Sequence, residues 1–265
     1  MNERWIVPDW PAPARVRCLL TTRQGGVSQG AYASLNLGDH VGDDVQAVAE
    51  NREILGARLP ALPKWLQQVH GTTVFDASVL NEALPAPEAD AVLARQVGEI
   101  CAVLTADCLP VLLCDKSGSV VAAVHAGWRG LQAGILESTV EAMACPGTHL
   151  LAYLGPAIGP EAFEVGDDVR DAFVAKNPSA STAFMALRTG NNERNGTFPL
   201  EKGRRSGKWL ANIYLLARQS LERLGIDAVY GGGYCTVREI ERFFSFRRDG
   251  VTGRMASLIW LAAEQ

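Results

Sequence analysis

The chain has 265 residues, with 25 lysines and arginines against 29 aspartates and glutamates, a formal net charge of −4. This balance provides no large cationic field for a phosphate backbone, so nucleic acid is not expected as a partner. Hydrophobic residues make up 48% and charged residues 20%, which is ordinary globular composition and excludes a wholly disordered or fibrous chain.

The amino-terminal half is predicted to contain short strands and one helix. A first strand is predicted over residues 15–22, and the glycine-rich polar stretch TTRQGGVSQGAYASLNLGDHVGDD overlaps its end. A loop of that length usually has a function. Apolar spacing predicts a helix over residues 45–55, with Asp43 or Asp44 as its N-cap. Further strands are predicted over residues 65–70, 74–77, 89–93, 100–105, 111–115 and 120–125.

The carboxyl-terminal half continues the mixture of helices and strands. Helices are predicted over residues 131–143, 165–174 and 210–224, and strands over 150–154 and 228–230. The charged, glycine-rich segment 188–209 is expected to be a surface excursion. Since no linker divides the pattern, residues 1–265 are predicted to form a single α and β domain.

The amino terminus, the hydropathy pattern and the cysteine spacing together indicate a protein of a reducing compartment. The amino terminus lacks the apolar stretch and cleavage site of an export signal, and no window reaches the ~18 to 20 uncharged apolar residues of a membrane helix. The six cysteines show no short paired spacing typical of a disulfide scaffold. We therefore expect a cytoplasmic protein without a membrane partner. Cys18, Cys101 and Cys114 lie in apolar runs and are expected to be buried free thiols.

Three side chains are candidate metal ligands. His70 in QQVHG and His125 in AAVHAGW each end an apolar run at a glycine turn, and Cys108 in TADCLP lies between an apolar strand and Pro110. Strand ends hold a side chain rigidly while leaving it accessible. Two imidazoles and one thiolate are a typical Zn²⁺ ligand set, and three ligands leave a position open for chemistry. Their separations, 38 and 17 residues, match no zinc-finger spacing.

A second interpretation of Cys108 needs no metal. A cysteine beside a histidine forms a nucleophile and base pair, as in thiol hydrolases. Asp107 could then orient the histidine or carry a proton. In an extended strand Asp107 and Cys108 would face opposite sides, so they share a site only if the chain turns there. Pro110 favours such a turn.

Arginines are the candidates for holding phosphate or a sugar hydroxyl, because a guanidinium offers a planar fork of donors. Arg52 and Arg247 are favoured, since each lies beside a segment rich in glycine or aromatic residues. For Arg248 the sequence favours neither a binding role nor a surface role. The pair at positions 204 and 205 is enough for one phosphate group at most.

Several segments together resemble one family. TTRQGGVSQGAYASLNLGDHVGDD, QQVHG, TADCLPVLL, AAVHAGWRG, GPAIGP, FEVG and FFSFRRDGVTGRMASLIWL are similar to the laccase-domain, or multicopper polyphenol oxidoreductase, family of purine nucleoside phosphorylases, also named peptidoglycan-editing factors. The resemblance implies an α+β fold, a mixed β-sandwich core flanked by helices, similar to the catalytic domain of cytotoxic necrotizing factor. It also implies that His70, Cys108 and His125 hold the metal, zinc or alternatively copper, and that Asn36 and Arg52 contact the nucleoside.

The activity that the resemblance implies is phosphorolysis of adenosine, inosine, guanosine and methylthioadenosine, together with adenosine deamination. The expected partners are therefore a purine nucleoside and phosphate, with Arg247 holding phosphate and Asp107 as the proton carrier. Alternatives are an amidase that removes L-Ser-containing peptidoglycan precursors, a copper-dependent polyphenol oxidase, and a non-catalytic metal-binding module. Multicopper oxidases need about ten histidines, and this chain has 4, which favours a single metal.

Overall fold

The computed structural model describes residues 4–79, 85–187 and 207–263. In chain order the strands of these residues are β1 Val16–Leu20, β2 Pro63–Lys64, β3 Val74–Asp76, β4 Ala91–Ala94, β5 Ile100–Thr105, β6 Leu109–Asp115, β7 Val121–Ala126, β8 Leu150–Leu154, β9 Glu164–Gly166, β10 Phe184–Ala186, β11 Lys208–Ala211, β12 Val229–Gly231 and β13 Met255–Leu261. The α-helices are α1 Val45–Gly56, α2 Trp128–Ala133, α3 Ile135–Met143, α4 Asp167–Lys176, α5 Ile213–Arg223 and α6 Phe246–Asp249.

The strands form three sheets. A four-stranded sheet has the order β1-β13-β5-β2, a six-stranded sheet has the order β12-β8-β6-β7-β4-β3, and β10-β11-β9 form a small third sheet. The two larger sheets share one apolar core, to which Cys18 and Ile259 contribute from one sheet and Leu112 and Val121 from the other. Side chains of facing sheets interdigitate in this way in a β-sandwich.

Helices cover the outer faces of both large sheets. Leu55 of α1 packs with Ile100 and Leu258 on the four-stranded sheet. On the six-stranded sheet, Ile135 of α3 and Leu216 of α5 join the core cluster of its outer face. The architecture is therefore mixed α and β, with two sheets between helices. The predicted similarity to cytotoxic necrotizing factor stays a prediction.

Strand β7 is buried on both faces, as its almost continuous apolar run predicts. Val121 and Ala123 face the core between the two large sheets, whereas Ala122 and Val124 face the helices. Successive side chains of a strand alternate between its two faces, so a central strand needs apolar residues at every position. The same strand ends at His125 and Ala126, which carries the histidine to the edge of a rigid layer.

The strand predicted over residues 65–70 is wrong. Within it only Gln67 makes a strand-type contact, an isolated bridge to Glu88. The side chain of Gln68 takes the place of a strand partner, because its amide donates to the carbonyl of Leu104 at 2.8 Å and accepts from the Leu104 N–H at 2.7 Å. The backbone is then free to turn at His70, where φ is 60°.

The three predicted carboxyl-terminal helices have different limits in the structure. The one over residues 131–143 begins earlier, at Trp128, and is broken at Gly134, whose φ of 115° is a left-handed conformation. Val165 pairs with Trp209 between β9 and β11 instead of starting a helix. The last helix starts after Asn212, whose side chain accepts from the Leu215 N–H, a typical N-cap.

Most of the predicted surface excursion over residues 188–209 lies outside the described residues, as does the basic pair at 204 and 205. Its last residues contradict the prediction, because Lys208–Ala211 is β11 and Trp209 is buried in the core. Strand β13, to which the sequence patterns assigned no element, is central to its sheet. All six cysteines are free, with Cys18, Cys101 and Cys114 buried as predicted. Among the described residues, no helix combines the length and apolar character that crossing a membrane requires.

Candidate metal centre

The three predicted metal ligands come together at one edge of the sheets. One donor atom each from His70, Cys108 and His125 lies within 4.8 Å of the other two. The Cys108 Sγ is 3.9 Å from the His70 Nε2, and the two imidazole rings meet edge to face with centroids 4.8 Å apart. His70 lies in the turn before β3, Cys108 in the connection from β5 to β6, and His125 at the end of β7.

The turn that presents Cys108 lies at Asp107, not at Pro110. Asp107 has a φ of 90°, a conformation that a side chain other than glycine's adopts at a cost. Pro110 is instead inside β6, where its register partner is His125 on β7. Because Leu109 pairs with Ala126 in the same register, Cys108, the residue before β6, is held beside the end of β7. The two ligands Cys108 and His125 are therefore set by strand pairing.

Asp90 holds both histidines, and the sequence patterns did not single it out. Its Oδ1 accepts from the His70 N–H at 2.9 Å and lies 2.8 Å from the His125 Nδ1, while its Oδ2 accepts from the Gly71 N–H at 2.6 Å. The Asp90 side chain is fully buried at the start of β4. A carboxylate on Nδ1 leaves Nε2 as the ligand atom and fixes the ring, as is general around protein metals. The only signal in the sequence was an acid inside the otherwise apolar strand predicted over residues 89–93.

The electrostatics of the centre favour a thiolate. Burial raises the pKa of Cys108, but His125 and His70 outweigh burial through charge and hydrogen bonding and lower that pKa to about 6. Burial lowers the pKa of His125, whereas Cys108 and Asp90 raise it by more. The thiolate is the form in which cysteine binds metals and attacks carbonyls.

A metal ion fits this donor set. Gly127 follows His125 by two residues, and a Cβ at this position would lie 3.0 Å from the Cys108 Sγ, 3.0 Å from the His70 Cδ2 and 3.6 Å from the His125 Nε2. Glycine thus keeps clear the space among all three ligands. Two histidine nitrogens and a cysteine sulfur are ligands that Zn²⁺ and copper both accept.

The three side chains open into a cleft of about 560 Å³. Its apolar wall includes three aromatic rings, Trp128, Phe163 and Phe246. Its polar lining comprises His40, Gln68, Thr105, Asp107, Arg129, Arg247 and Arg254 in addition to the metal ligands. An apolar cleft with a few convergent polar groups is the usual form of a small-molecule site.

Each arginine of the cleft lies over one of its aromatic rings. The guanidinium carbon is 4.4 Å from the ring centre for Arg129 over Trp128, 5.5 Å for Arg247 over Phe163, and 5.9 Å for Arg254 over Phe246. Within residues 4–79, 85–187 and 207–263, none of these three arginines is paired with a carboxylate. The cleft is therefore cationic in a chain of net negative charge. A cation–π contact holds a guanidinium near an aromatic ring without neutralising its charge.

The structure places Asp107 in the cleft with both carboxylate oxygens engaged. Oδ1 accepts from the Thr236 hydroxyl at 2.6 Å and Oδ2 accepts from the Arg247 N–H at 2.6 Å. The side chain thus joins the Cys108 turn to the start of α6, which carries Phe246 and Arg247. Its predicted role in proton transfer stays a prediction.

Two predicted substrate contacts are not among the described residues that line the cleft. Asn36 is fully buried, and its side-chain oxygen accepts from the Gly38 and Arg254 N–H groups, each at 2.9 Å. Arg52 donates to the Leu37 carbonyl at 3.0 Å and pairs with a carboxylate, that of Asp39, at 3.1 Å. Both support the loop beside the cleft. Arg247 does line the cleft.

Arg248, for which the sequence favoured no role, has a structural one. Its guanidinium donates to the carbonyls of Thr236 and Phe243 at 2.8 and 3.1 Å and pairs with Asp249 at 2.7 Å. These contacts tie α6 to the two segments beside it. The neighbouring Arg247 is left to face the cleft.

Comparison with known proteins gives one consistent result. The family model described as multi-copper polyphenol oxidoreductase laccase matches residues 17–262. A protein named purine nucleoside phosphorylase from Pseudomonas aeruginosa is 52% identical over 257 residues, 97% of this chain and 98% of that protein. Purine nucleoside phosphorylase YfiH from Escherichia coli is 50% identical over 261 residues, 98% of this chain and 99% of that protein.

Solved structures with the same fold cover almost the whole chain. A crystal structure of a Neisseria meningitidis protein is 53% identical, covers 98% of this chain and 100% of its own, and superposes with a TM-score of 0.87. The crystal structure of YlmD from Geobacillus stearothermophilus is 29% identical, covers 99% and 98%, and has a TM-score of 0.81.

Proposed function

The chain belongs to the multi-copper polyphenol oxidoreductase laccase family, and we propose that it is a metal-dependent purine nucleoside phosphorylase. The observation that carries the proposal is one cleft that joins a His-Cys-His metal-binding arrangement to three aromatic rings and to three arginines without a carboxylate partner among the described residues. Phosphorolysis needs a site for a phosphate dianion and a flat, apolar site for a base, and these groups provide both. The relatives at 52% and 50% identity bear the name purine nucleoside phosphorylase.

The chain's own residues would have separate roles in this reaction. Asp90 orients His125 and holds the His70 turn, so the metal ligands are preorganised. The aromatic rings Trp128 and Phe246 would contact the base, and the arginines of the cleft, Arg247 among them, would hold phosphate. Asp107, beside the centre, would carry the proton to or from the base, as the sequence suggests. A bound metal ion supplies a Lewis acid and activates water.

The finer assignments follow from that chemistry. The proposed substrates are adenosine, inosine, guanosine and methylthioadenosine, and activated water at the same centre would also deaminate adenosine at C6. Zinc is the proposed metal and copper the alternative. Among the described residues one set of ligands groups together, which supports one metal per chain. The six free cysteines support a reducing, cytoplasmic setting.

Incubation of the purified, metal-loaded protein with adenosine and phosphate tests the proposal. The expected products are adenine and ribose 1-phosphate in equal amounts, with inosine from the deamination reaction, each resolved by chromatography. Omission of phosphate should abolish adenine formation and leave inosine. A Cys108→Ser protein, in which a metal ligand is removed, is the matched control. A wild-type protein that leaves all four nucleosides unchanged would contradict the proposal.

One observation favours a second candidate, an amidase acting on peptidoglycan precursors. Cys108, His125 and Asp90 form a thiol, imidazole and carboxylate relay, with Asp90 2.8 Å from the His125 Nδ1 and the pKa of Cys108 lowered to about 6. That arrangement is the one used by thiol hydrolases. Release of L-serine from a serine-containing muropeptide by the metal-free protein, together with inertness toward nucleosides, would favour this candidate.

A further inference from the structure

Arg254 is the residue before β13, and its side chain lines the cleft. Its guanidinium is held at one nitrogen only. Nη1 donates to the carbonyls of Thr252 and Gly253 at 3.0 and 3.1 Å. Nε and Nη2 have no hydrogen-bond partner within the described part of the chain. One side of the guanidinium is therefore locked to the backbone, while the other side presents two parallel N–H groups. This edge matches two oxygens of a phosphate group.

The loop around Asn36 fixes the backbone of Arg254. The Asn36 side chain accepts from the Arg254 N–H at 2.9 Å, and the Leu37 N–H donates to the Arg254 carbonyl at 3.1 Å. Asn36 itself is fully buried. The arginine is thus anchored at both backbone groups as well as at Nη1, so little conformational freedom remains to be lost when an anion binds.

Gly38 provides the passage through which the Arg254 side chain reaches the cleft. A Cβ at position 38 would lie 2.8 Å from the Arg254 Cγ and 3.2 Å from its Cβ. Real side chains do not approach that closely, so only glycine lets the stem of the arginine pass along this loop. Position 38 therefore offers a way to displace Arg254 without altering its chemistry.

The other cleft arginines are less suited to hold an anion firmly. Arg247, like Arg254, has its Nη1 on a backbone carbonyl, that of Glu164 at 2.9 Å, but Arg247 is exposed. Arg129 is exposed, and its guanidinium carbon lies 4.4 Å from the centre of the Trp128 ring. Arg254 is half-buried and stacks on Phe246. Burial lowers the pKa of Arg254, and Cys108 and Asp107 oppose that shift, which places its charge beside the metal centre.

We propose that Arg254 is the principal anchor for inorganic phosphate in the cleft, with Asn36 and Gly38 as the residues that position it. This inference rests on the proposed phosphorolysis. Phosphate held by the free edge of Arg254 lies in the same cleft as the metal ligands and the aromatic wall. The predicted role of Asn36 in substrate binding then becomes indirect, through the backbone of Arg254.

The test compares Arg254→Gln, Arg254→Lys and Gly38→Ala with wild type in the metal-loaded full chain. For Arg254→Gln we expect the KM for phosphate to rise by about tenfold to a hundredfold, since two charge-assisted hydrogen bonds are lost. The KM for adenosine should change less than threefold. Arg254→Lys keeps the charge but not the planar fork of donors, so its phosphate KM should lie between those of wild type and Arg254→Gln. Gly38→Ala should raise the phosphate KM while leaving the metal content intact.

Arg95→Gln is the control, because Arg95, like Arg254, donates to a backbone carbonyl, that of Ala142, but it lies outside the cleft and pairs with Asp76. It should leave the phosphate KM unchanged. An unchanged phosphate KM in both Arg254→Gln and Arg254→Lys, with folding verified by circular dichroism, would overturn the inference.

Calorimetric titration with inorganic phosphate alone separates this inference from the proposed function. Weaker phosphate binding by Arg254→Gln supports the inference even if no nucleoside is cleaved, in which case only the proposed function fails. Normal nucleoside cleavage with equal phosphate binding by both proteins overturns the inference and leaves the function in place. If AMP, but not phosphate, loses affinity in the variant, the anion belongs to the substrate and the inference is wrong.

Discussion

Asp90 is the residue on which both histidines of the metal centre depend. Its carboxylate meets the His125 ring and accepts from the backbone at His70 and Gly71. Burial raises the pKa of Asp90, but the His125 hydrogen bond and the two N–H groups outweigh burial and lower it. Asp90 is thus an ionised group that holds a left-handed turn and an imidazole at once.

Replacement of Asp90 by asparagine should weaken metal binding by about tenfold to a hundredfold, the usual effect of removing a carboxylate behind a histidine ligand. The ligands themselves remain, so the metal should still bind at saturation. Competition with a chromophoric chelator measures the affinity. Asp171→Asn, which removes only an exposed contact to Arg170, is the control, and equal affinities in the two variants would contradict the role of Asp90.

Cys108 distinguishes the metal enzyme from the thiol hydrolase. If its sulfur is a ligand, Cys108→Ser should purify folded with less than about a tenth of the wild-type metal, because a serine hydroxyl is a poor zinc ligand at neutral pH. Elemental analysis of protein purified without added metal gives both the occupancy and the identity of the metal. Full metal occupancy combined with lost activity would instead identify Cys108 as a nucleophile.

At the scale of elements, the start of α2 leaves room for the metal. The φ of Gly127 is −60°, so alanine can adopt its backbone conformation, but the added methyl would enter the space among the three ligands. Gly127→Ala should therefore remain folded and lose most of its metal and activity. Gly233→Ala is the matched control, since a Cβ there meets no atom within 4 Å. Elemental analysis of both proteins measures the metal content, and a thermal melt shows whether they are folded. A Gly127→Ala protein with normal metal content would contradict this account.

In the hairpin between β6 and β7, the Asp115 carboxylate is expected to make a pH-dependent contribution to the free energy of unfolding. Asp115 accepts from the Ser119 and Val120 N–H groups at 2.6 and 2.9 Å and from the Ser117 hydroxyl. Burial raises the pKa of Asp115, but these hydrogen bonds outweigh burial and lower it. A depressed pKa means that the stabilisation is present above the unfolded value of about 3.9 and is lost as the pH falls through the lower folded value.

Asp115→Asn should therefore lower the free energy of unfolding by about 1.5 to 3 kcal/mol at pH 7. The difference from wild type should shrink as the pH falls below about 4. Urea unfolding of both proteins at a series of pH values measures this difference in the free energy of unfolding. Asp171→Asn, at an exposed carboxylate, should give a difference near zero at every pH, and a constant difference for Asp115→Asn would show that the charge is not responsible.

The convergence of the three candidate ligands could be predicted from the sequence, but the local structure before His70 and the residues that support the ligands could not. His70, Cys108 and His125 end apolar runs at turns, which is a local pattern. Asp90 acts through hydrogen bonds to residues 19 to 35 positions away, and Arg254 is positioned by Asn36 across 218 positions. Such contacts depend on the sheet order, which local spacing does not determine. The same limit explains the wrong strand at residues 65–70, where the Gln68 side chain contacts Leu104, 36 positions on.

At the scale of the whole molecule, the three candidate ligands come from separate segments of the chain. Cys108 lies in the connection between the four-stranded sheet, which contains β5, and the six-stranded sheet, which contains β6. His125 ends β7 in the six-stranded sheet, and His70 comes from the turn that precedes β3. An ion held by all three would therefore tie the β5–β6 connection and the turn before β3 to the end of β7 at one edge of the sandwich.

Metal binding should consequently stabilise the whole chain, because the unfolded chain does not bring the three ligands together. At a free metal concentration of a hundred times the dissociation constant, the stabilisation is about 2.7 kcal/mol, which for a domain of this size raises the Tm by roughly 5 to 10 °C. Calorimetric scans of the chelator-treated protein, before and after stoichiometric Zn²⁺, measure this shift. Cys108→Ser should show no shift, since one of the links is missing. A wild-type Tm that is independent of the metal would mean that the ion binds elsewhere or does not join these three segments.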